Sequence, residues 1–174
     1  RVWTGPRTPA PASVDRPSSA SWTVRSTHAL VSVHASPAVD ADTVRRTLRA
    51  LEWARGLLAA RGWPTPFPDG DLGGGPGLDL YLTTELQPGA YTDGMIPWAY
   101  LDEATAFAVM NPATPTEWIE ACTVASYAEA LLLGAEPAEA RPWRRATAAW
   151  LAWELTGRFG CDDPVHEQQA EPFR

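Results

Sequence analysis

The sequence contains no lysine, only two cysteines and two methionines, and no apolar run of the roughly 20 residues that a transmembrane helix requires. The absence of such a run predicts a soluble chain without a membrane span. All 14 basic residues are therefore arginine, and 21 acidic residues outweigh them to give a net charge of −7. This negative charge disfavours general binding to nucleic-acid phosphates or anionic lipid, so neither is an expected partner.

What the chain does contain is sufficient for a packed domain. Its 174 residues are 45% apolar and include nine tryptophans, which excludes a disordered chain. The sequence starts at Arg1 without an initiator methionine or a signal-peptide pattern, which indicates a removed signal or a part of a longer precursor. We expect one domain over residues 22–174, preceded by an arm over residues 1–21.

The arm is rich in proline, with serine, threonine and alanine between the prolines. It has too little apolar material to fold alone, so it should be extended. A segment of this kind is ordered only if it is held by its own domain or by a neighbouring chain. Of these two alternatives we favour other protein chains, bound through the arm, as the partners.

The two cysteines allow one disulfide. Cys122 and Cys161 would be bonded in an oxidising compartment, as the even count suggests. The alternative is a pair of buried, small apolar residues.

Hydrophobic patterns predict three strands and one long early helix. Residues 22–35 are predicted as one strand, residues 78–82 as a second and residues 105–110 as a third, while residues 86–104 are rich in turn residues. Asp40 is a plausible N-cap for a helix that runs to about Arg61.

The C-terminal part is predicted as a helical hairpin. A capping box at residues 114–117 begins a helix that ends near Gly134, and a second helix covers about 138–157. Trp143, Trp150 and Trp153 share one face of the second helix, which we expect to be buried. The fold class is therefore α+β, with a small sheet of about three or more strands.

Two groups of side chains are weak candidates for metal binding. Asp69, Asp71 and Asp79 flank a glycine-rich loop and could hold calcium, but their spacing does not match an EF-hand, and a mobile loop is the simpler interpretation. His28 and His34 would share a strand face, but a third ligand is missing.

A third feature has half of a zinc motif. His166 and Glu167 start one, but Ala170 stands where its second histidine belongs, so a zinc site there is not expected.

The order of motifs resembles the gluzincin zinc metallopeptidases, in particular exported bacterial metalloproteases of the myxobacterial type. The resemblance covers roughly residues 22–157: a strand and long helix, the loop DGDLGGG, the strand LDLYL and the strand TAFAVMNP. In that family a helix with the motif His-Glu-x-x-His follows, and a later helix supplies a glutamate as the third zinc ligand. The two histidines bind zinc from one helical face, and the glutamate deprotonates the zinc-bound water.

The resemblance places other residues at all four of these positions. Ser126 and Ala130 stand for the two histidines, Tyr127 for the general base, and Arg145 for the third ligand. A guanidinium at the vacant site would repel a zinc ion. The resemblance therefore implies a chain without a metal, a cofactor or peptidase activity. If this alignment is incorrect, the two helices are simply an amphipathic hairpin.

Three functions remain open. We favour a catalytically inactive, metallopeptidase-like binding or structural subunit of a larger assembly outside the cytoplasm, because a fold can be retained for binding after its catalytic activity is lost. A hydrolase with an unrecognised active site is the second hypothesis. A plain structural module unrelated to peptidases is the third. The expected location is periplasmic, envelope-associated or extracellular.

Overall fold

The computed structural model of the chain describes residues 12–95 and 104–161. These residues form the predicted α+β domain, with one mixed five-stranded sheet, an early long helix and two C-terminal helices. The elements are β1 (Trp22–Arg25), β2 (Val31–Ala35), α1 (Ala41–Ala60), β3 (Leu78–Leu82), β4 (Gly89–Met95), β5 (Ala104–Met110), α2 (Ile119–Ala135) and α3 (Arg141–Thr156).

The sheet has a parallel centre and antiparallel edges. Its strand order is β1-β2-β3-β5-β4. Strands β2, β3 and β5 are parallel, with Val33 opposite Leu80 and Leu80 opposite Ala108. The edge strands β1 and β4 are antiparallel to their neighbours.

Helices cover one face of the sheet. The predicted N-cap of α1 is confirmed, because the Asp40 side chain accepts hydrogen bonds from the backbone N–H groups of Asp42 and Thr43. Helices α1 and α2 pack on the sheet, and α3 packs on α2. Helix α2 is consequently buried on nearly all sides, which explains its almost continuous apolar sequence. The core comprises alternate residues of β2, β3 and β5 together with one face of α1 and most of α2.

The arm lies across the other face of the sheet. Residues 12–21 have no helix or strand, and the Val14 N–H donates a hydrogen bond of 2.9 Å to the Thr92 carbonyl oxygen. Ala20 is buried in a small apolar cluster with Phe107 and Val109 of β5. This part of the arm is therefore held by its own domain, which is the first of the two alternatives, whereas residues 1–11 lie outside the described residues.

Two strand predictions need correction. Residues 22–35 form two strands, β1 and β2, instead of one, because Ser26 starts a turn in which its Oγ accepts from the N–H groups of His28 and Ala29. Strand β4 was missed because turn residues such as Asp93 and Gly94 lie inside it. The structure accommodates them at an irregularity in the pairing with β5.

The helical hairpin is present with different starts. Helix α2 begins at Ile119 after a 3₁₀ turn, and the predicted capping box is wrong because the Thr114 hydroxyl donates to the Asn111 carbonyl oxygen instead. Helix α3 begins at Arg141 and ends before Gly157, whose φ of 75° is a conformation that favours glycine.

The prediction that the tryptophans of α3 are buried is wrong. Trp143, Trp150 and Trp153 do share a face, but that face points outward, with 69%, 49% and 47% of these residues exposed. Helix α3 contacts α2 through the opposite face, where small residues such as Ala148 and Ala152 allow close approach of the two helices.

The disulfide is confirmed. Cys122 of α2 is bonded to Cys161, five residues beyond the end of α3. Because Cys122 lies in the first turns of α2, the bond fixes the end of α3 to the start of α2, as an antiparallel hairpin requires. None of the helices in residues 12–95 and 104–161 combines the length and apolarity needed to cross a bilayer.

Candidate functional site

Three of the four positions that the resemblance assigned to a lost zinc site lie in the core. Ser126, Tyr127 and Ala130 are all buried in α2. Burial, only partly opposed by the charge of Arg55, raises the pKa of Tyr127 to about 12. Tyr127 is therefore a neutral core residue under ordinary conditions and cannot replace a general base. Arg145 lies on α3 and is partly buried.

A glutamate that the sequence reading missed lies between these positions. Glu129 of α2 is buried, and its Oε1 has no hydrogen-bond partner. Burial raises the pKa of Glu129 even though the charges of Arg141, Arg145 and Arg144 oppose the shift. The Arg141 Nε lies 3.7 Å from Oε1, so the side chain is a buried, poorly paired acid.

The space next to the Glu129 carboxylate is open because Gly89 has no side chain. Gly89, at the start of β4, has a φ of 145°, and a Cβ there would lie 3.0 Å from the Arg141 guanidinium and 3.4 Å from the Glu129 carboxylate. A larger residue would therefore be strained and would displace the arginine. The signal for Glu129 in the sequence was a lone acid inside the apolar run of α2.

A second cluster lies on the arm-covered face and is built around Arg16. The Arg16 guanidinium donates to three aspartates: Nε and Nη2 to Asp93 at 2.7 and 2.6 Å, Nη2 to Asp69 at 2.5 Å, and Nη1 to Asp79. It also lies 5.2 Å from the centre of the Phe107 ring, within the range of a cation–π contact. We call Arg16, Asp69, Asp79 and Asp93 the arginine clamp.

The clamp brings two of the three calcium candidates together. Asp69 and Asp79 converge, but they surround a guanidinium, while Asp71 is exposed and lies outside the clamp. Among the residues that the structure describes, no group of three or more His, Cys, Asp or Glu side chains is placed to hold a metal ion. Arginine fits this position because its planar guanidinium group can donate hydrogen bonds to several carboxylates at once.

The glycine-rich loop closes over the clamp. A Cβ on Gly73 would lie only 1.6 Å from an Asp79 carboxylate oxygen, so no side chain fits there. The glycines of the loop therefore permit close approach of the backbone to buried charges, which is a structural role that the sequence alone did not reveal.

His34 extends the clamp toward the edge strand β1. Its Nε2 donates to Asp79 Oδ1 at 2.7 Å, and its Nδ1 is hydrogen-bonded to the Thr23 hydroxyl at 2.9 Å. The ring stacks on Tyr81, with the ring centres 4.5 Å apart. His34, Asp79 and Arg16 are buried or nearly so, whereas Thr23 is partly exposed. This chain of hydrogen bonds ends at a hydroxyl that a second molecule can reach.

Charges within the clamp shift its acids in opposite directions. Burial opposes ionisation of Asp79, but the hydrogen bond from His34 and the charges of His34 and Arg16 outweigh it and hold its pKa below the ordinary value. Burial raises the pKa of Asp69, and Arg16 only partly compensates. Burial opposes the charge of Arg16, but its hydrogen bonds to Asp93 and Tyr81, together with their charges, outweigh burial, so its pKa is raised.

His28 does not form a site with His34 in the part of the chain that the structure describes. His28 is exposed in the turn before β2 and takes no part in the cluster around His34. His166 lies outside the described residues. Arg16 and Asp93 of the clamp belong to no sequence motif, so they were not predicted. Asp79 could have indicated a buried charge, because it is a charged residue inside the apolar strand LDLYL.

Exposed aromatic residues form the remaining candidate surface. We call Trp143, Trp150 and Trp153 the aromatic face of α3. Ala146 and Gly157 lie on the same side and are also exposed. Trp153 stacks on Phe159 at 5.9 Å between ring centres, which fixes one end of the face. Large exposed apolar side chains that share one helix face mark a candidate contact surface.

Comparisons with known proteins give no relative. No family model matches the chain, and neither the curated proteins nor the solved structures contain a match.

Proposed function

We propose that this protein is a non-enzymatic binding subunit that works outside the cytoplasm and docks a partner protein through the aromatic face of α3. The observation that carries the proposal is the outward orientation of Trp143, Trp150 and Trp153 on one helix. Tryptophan is among the residues that contribute most binding energy at protein interfaces.

The chemistry of the aromatic face fits an apolar partner surface. Glu154, which follows Trp153 on α3, is paired with Arg61 of α1 at 2.8 Å, so its charge is partly neutralised. Ala146, on the same side of α3, is small and exposed. An interface core is typically depleted of charge and rich in aromatic residues, with polar groups at its rim. The aromatic face has this composition.

The order of elements supports an origin in a metallopeptidase-like scaffold. Strand β2, helix α1, the glycine-rich loop, strands β3 and β5 and helices α2 and α3 follow one another in the order on which the resemblance rests. In the alignment on which the resemblance rests, the positions of the ligands and the base hold residues that do not bind zinc. One of them, Tyr127, is almost completely buried in the core. A scaffold retained for binding after loss of catalysis explains both features.

The disulfide supports the location. A bond between Cys122 and Cys161 is typical of proteins that mature in the periplasm or outside the cell, where thiols are oxidised.

The proposal is tested by cross-linking from within the aromatic face. A photoreactive amino acid replaces Ala146 in the full-length chain, and products are sought in the producing cell after illumination. We expect a cross-linked protein whose yield falls at least about tenfold when Trp143 and Trp150 are both changed to alanine. The matched control carries the photoreactive group at Ala59, which is exposed on α1. Equal products from both positions, or none from Ala146, would contradict the proposal.

A metal measurement tests the non-enzymatic part separately. We expect purified protein to contain no stoichiometric zinc, and added zinc to leave the melting temperature unchanged. A native-state ligand at 100-fold its dissociation constant would add about 2.7 kcal/mol of stability, which is easily measured. One zinc ion per chain in elemental analysis would overturn this part.

One observation favours a hydrolase as the second candidate function. Thr23, His34 and Asp79 have the order of nucleophile, base and orienting acid, with hydrogen bonds of 2.9 and 2.7 Å. In such a reaction the Thr23 oxygen would attack an acyl carbon while its proton passes to His34 Nδ1. The leaving group would then take that proton, and water would release the acyl group.

A fluorophosphonate probe distinguishes this candidate from a binding subunit. A hydrolase would be labelled at Thr23 and would lose the label in Thr23→Val, which preserves shape. Thr27→Val is the matched control, because Thr27 is exposed in the adjoining turn. Absence of label at Thr23 removes the hydrolase from consideration.

A further inference from the structure

A groove lies between α1 and the start of α2. It is lined from α1 by Arg46, Arg49 and Trp53, and its volume is about 460 Å³. Ala50 and Ile119 form an apolar floor, since both are almost fully buried. Ligand sites in proteins have volumes of roughly 300–1,000 Å³, so the groove is large enough to bind a ligand.

The sequence of α1 determines the shape of the groove. Arg46, Arg49 and Trp53 are three and four residues apart, so they lie in one row along the helix. At about 1.5 Å per residue the row is roughly 10 Å long. An extended peptide advances about 3.3 Å per residue, so the row matches about three residues of an extended chain.

The charges of the groove favour carboxylates. The Nε of Arg46 already donates to Asp42 at 2.5 Å, but Arg49 has no ion pair within residues 12–95 and 104–161. The acid at the opposite rim, Glu120, is the single carboxylate among the lining residues. The indole of Trp53 is 42% exposed and offers a flat apolar surface beside the two guanidinium groups.

We infer that this groove binds a short, extended, acidic segment of a partner protein, in which a carboxylate lies next to an aromatic or aliphatic side chain. The carboxylate pairs with Arg49, the apolar side chain packs on Trp53, and the local positive charge of Arg46 and Arg49 provides the complementarity. This site is separate from the aromatic face of α3 and does not depend on the function proposed for it.

The experiment uses the full-length chain and a labelled peptide, acetyl-Asp-Glu-Phe-Asp-amide, whose binding is followed by fluorescence anisotropy. We expect saturable binding that weakens as salt rises from about 50 to about 500 mM. The Arg49→Glu variant should bind at least about tenfold more weakly, and Trp53→Ala should show a similar loss. Arg49→Gln, which adds no negative charge, should show a smaller loss and replaces Arg49→Glu if that variant does not fold.

The matched control is Arg45→Glu on the same helix. Arg45→Glu has the same net charge as Arg49→Glu, and Arg45 is also exposed. Because Arg45 does not line the groove, its variant should bind the peptide within about twofold of the wild type. An equal loss in both variants would show attraction by the general field of α1 and would overturn the inference.

Three further outcomes would also overturn it. One is equal binding of the neutral peptide acetyl-Asn-Gln-Phe-Asn-amide, which would remove the role of the arginines. The second is self-association of the wild type that Arg49→Glu abolishes, which would assign the groove to a second copy. The third is displacement of the probe by a peptide with the sequence of residues 162–174, which would assign it to the chain itself. Loss of partner cross-linking from Ala146 leaves all these measurements unaffected.

Discussion

The two faces of the sheet are built on different physical principles. On the helix-covered face, residues such as Val33, Leu80 and Ala108 are buried against α1 and α2. On the arm-covered face, neighbouring residues of the same strands, such as His34 and Asp79, are buried in hydrogen bonds and ion pairs. Hydrophobic burial is non-directional and tolerates changes of pH, whereas the arginine clamp depends on defined charges and geometry.

The clamp also explains why the arm is ordered. A proline-rich segment has little apolar surface to offset the entropy lost on fixing its backbone. Arg16 supplies instead a set of charge-assisted hydrogen bonds to Asp69, Asp79 and Asp93. Because removing one member leaves the others buried without compensation, the clamp should behave as a unit.

The largest effects are expected at two adjacent residues of β3. Leu80→Ala opens a cavity on the helix-covered face and should cost about 2–5 kcal/mol. Asp79→Asn leaves Arg16 and His34 without their anion and should cost about 3–5 kcal/mol near neutral pH. Both are measured by urea unfolding of full-length protein with its disulfide intact.

The pH dependence distinguishes the two variants. Asp79 has a lowered pKa in the folded state, so its contribution is complete above the unfolded value of about 3.9 and is lost as pH falls through the folded value. The deficit of Asp79→Asn should therefore shrink under strongly acidic conditions, while that of Leu80→Ala should remain. Parallel pH profiles for the two variants would show that the two faces do not differ in this way.

The next effect is expected at Arg16. Arg16→Ala leaves three aspartates facing one another and should cost about 3 kcal/mol or more. The arm should also detach, which hydrogen exchange can report because the Val14 N–H is bonded to the Thr92 carbonyl oxygen. Arg16→Lys should recover only part of the loss, since an ammonium cannot serve three carboxylates with the same geometry.

The exposed Arg25 provides the control for Arg16. Its guanidinium donates to the Gly74 carbonyl oxygen at 2.5 Å on the same side of the sheet. Arg25→Ala should leave the Val14 amide protected. If Arg16→Ala also leaves it protected, the clamp does not hold the arm.

The sequence predicted the elements whose patterns are local. Asp40 as an N-cap and the strand at residues 78–82 each depend on a few adjacent residues, and both agree with the structure. The missed strand β4 owes its conformation to pairing with β5, which outweighs the turn preference of Asp93 and Gly94.

The charged clusters could not be predicted because they join distant segments. Arg16 and Asp93 are 77 residues apart in the sequence, and only the folding of the arm across the sheet brings them together. The prediction that the aromatic face points inward was wrong for a related reason. The period of the tryptophans on α3 defines a face, but only packing on α2 through Ala148 and Ala152 decides which face is inward.

A smaller effect, of opposite sign, is expected at Glu129, a poorly paired acid of the helix layer. Glu129 has a raised pKa, so its contribution to stability is complete below the unfolded value of about 4.3 and is lost as pH rises through the folded value. Glu129→Gln should therefore stabilise the protein near neutral pH, by about 1 kcal/mol, and flatten the dependence on pH. The exposed Glu136→Gln is the control and should change stability by less than about 0.5 kcal/mol. A destabilised Glu129→Gln would mean that the carboxylate is needed in its charged form.

The smallest effect on stability is expected on the outward side of α3, where two neighbouring residues again face opposite ways. Leu151 is buried against α2, so Leu151→Ala should cost about 2–5 kcal/mol. Trp150 is 49% exposed, so Trp150→Ala should cost less than about 1 kcal/mol despite the larger side chain that it removes. The same Trp150→Ala variant should nevertheless weaken binding of a partner to the aromatic face, since an exposed interface tryptophan contributes binding energy but little to the stability of the fold. Thermal unfolding and cross-linking from Ala146, measured on the same variants, test both statements. A large loss of stability in Trp150→Ala would mean that the indole supports the hairpin, and its exposure would then be no evidence for a docking surface.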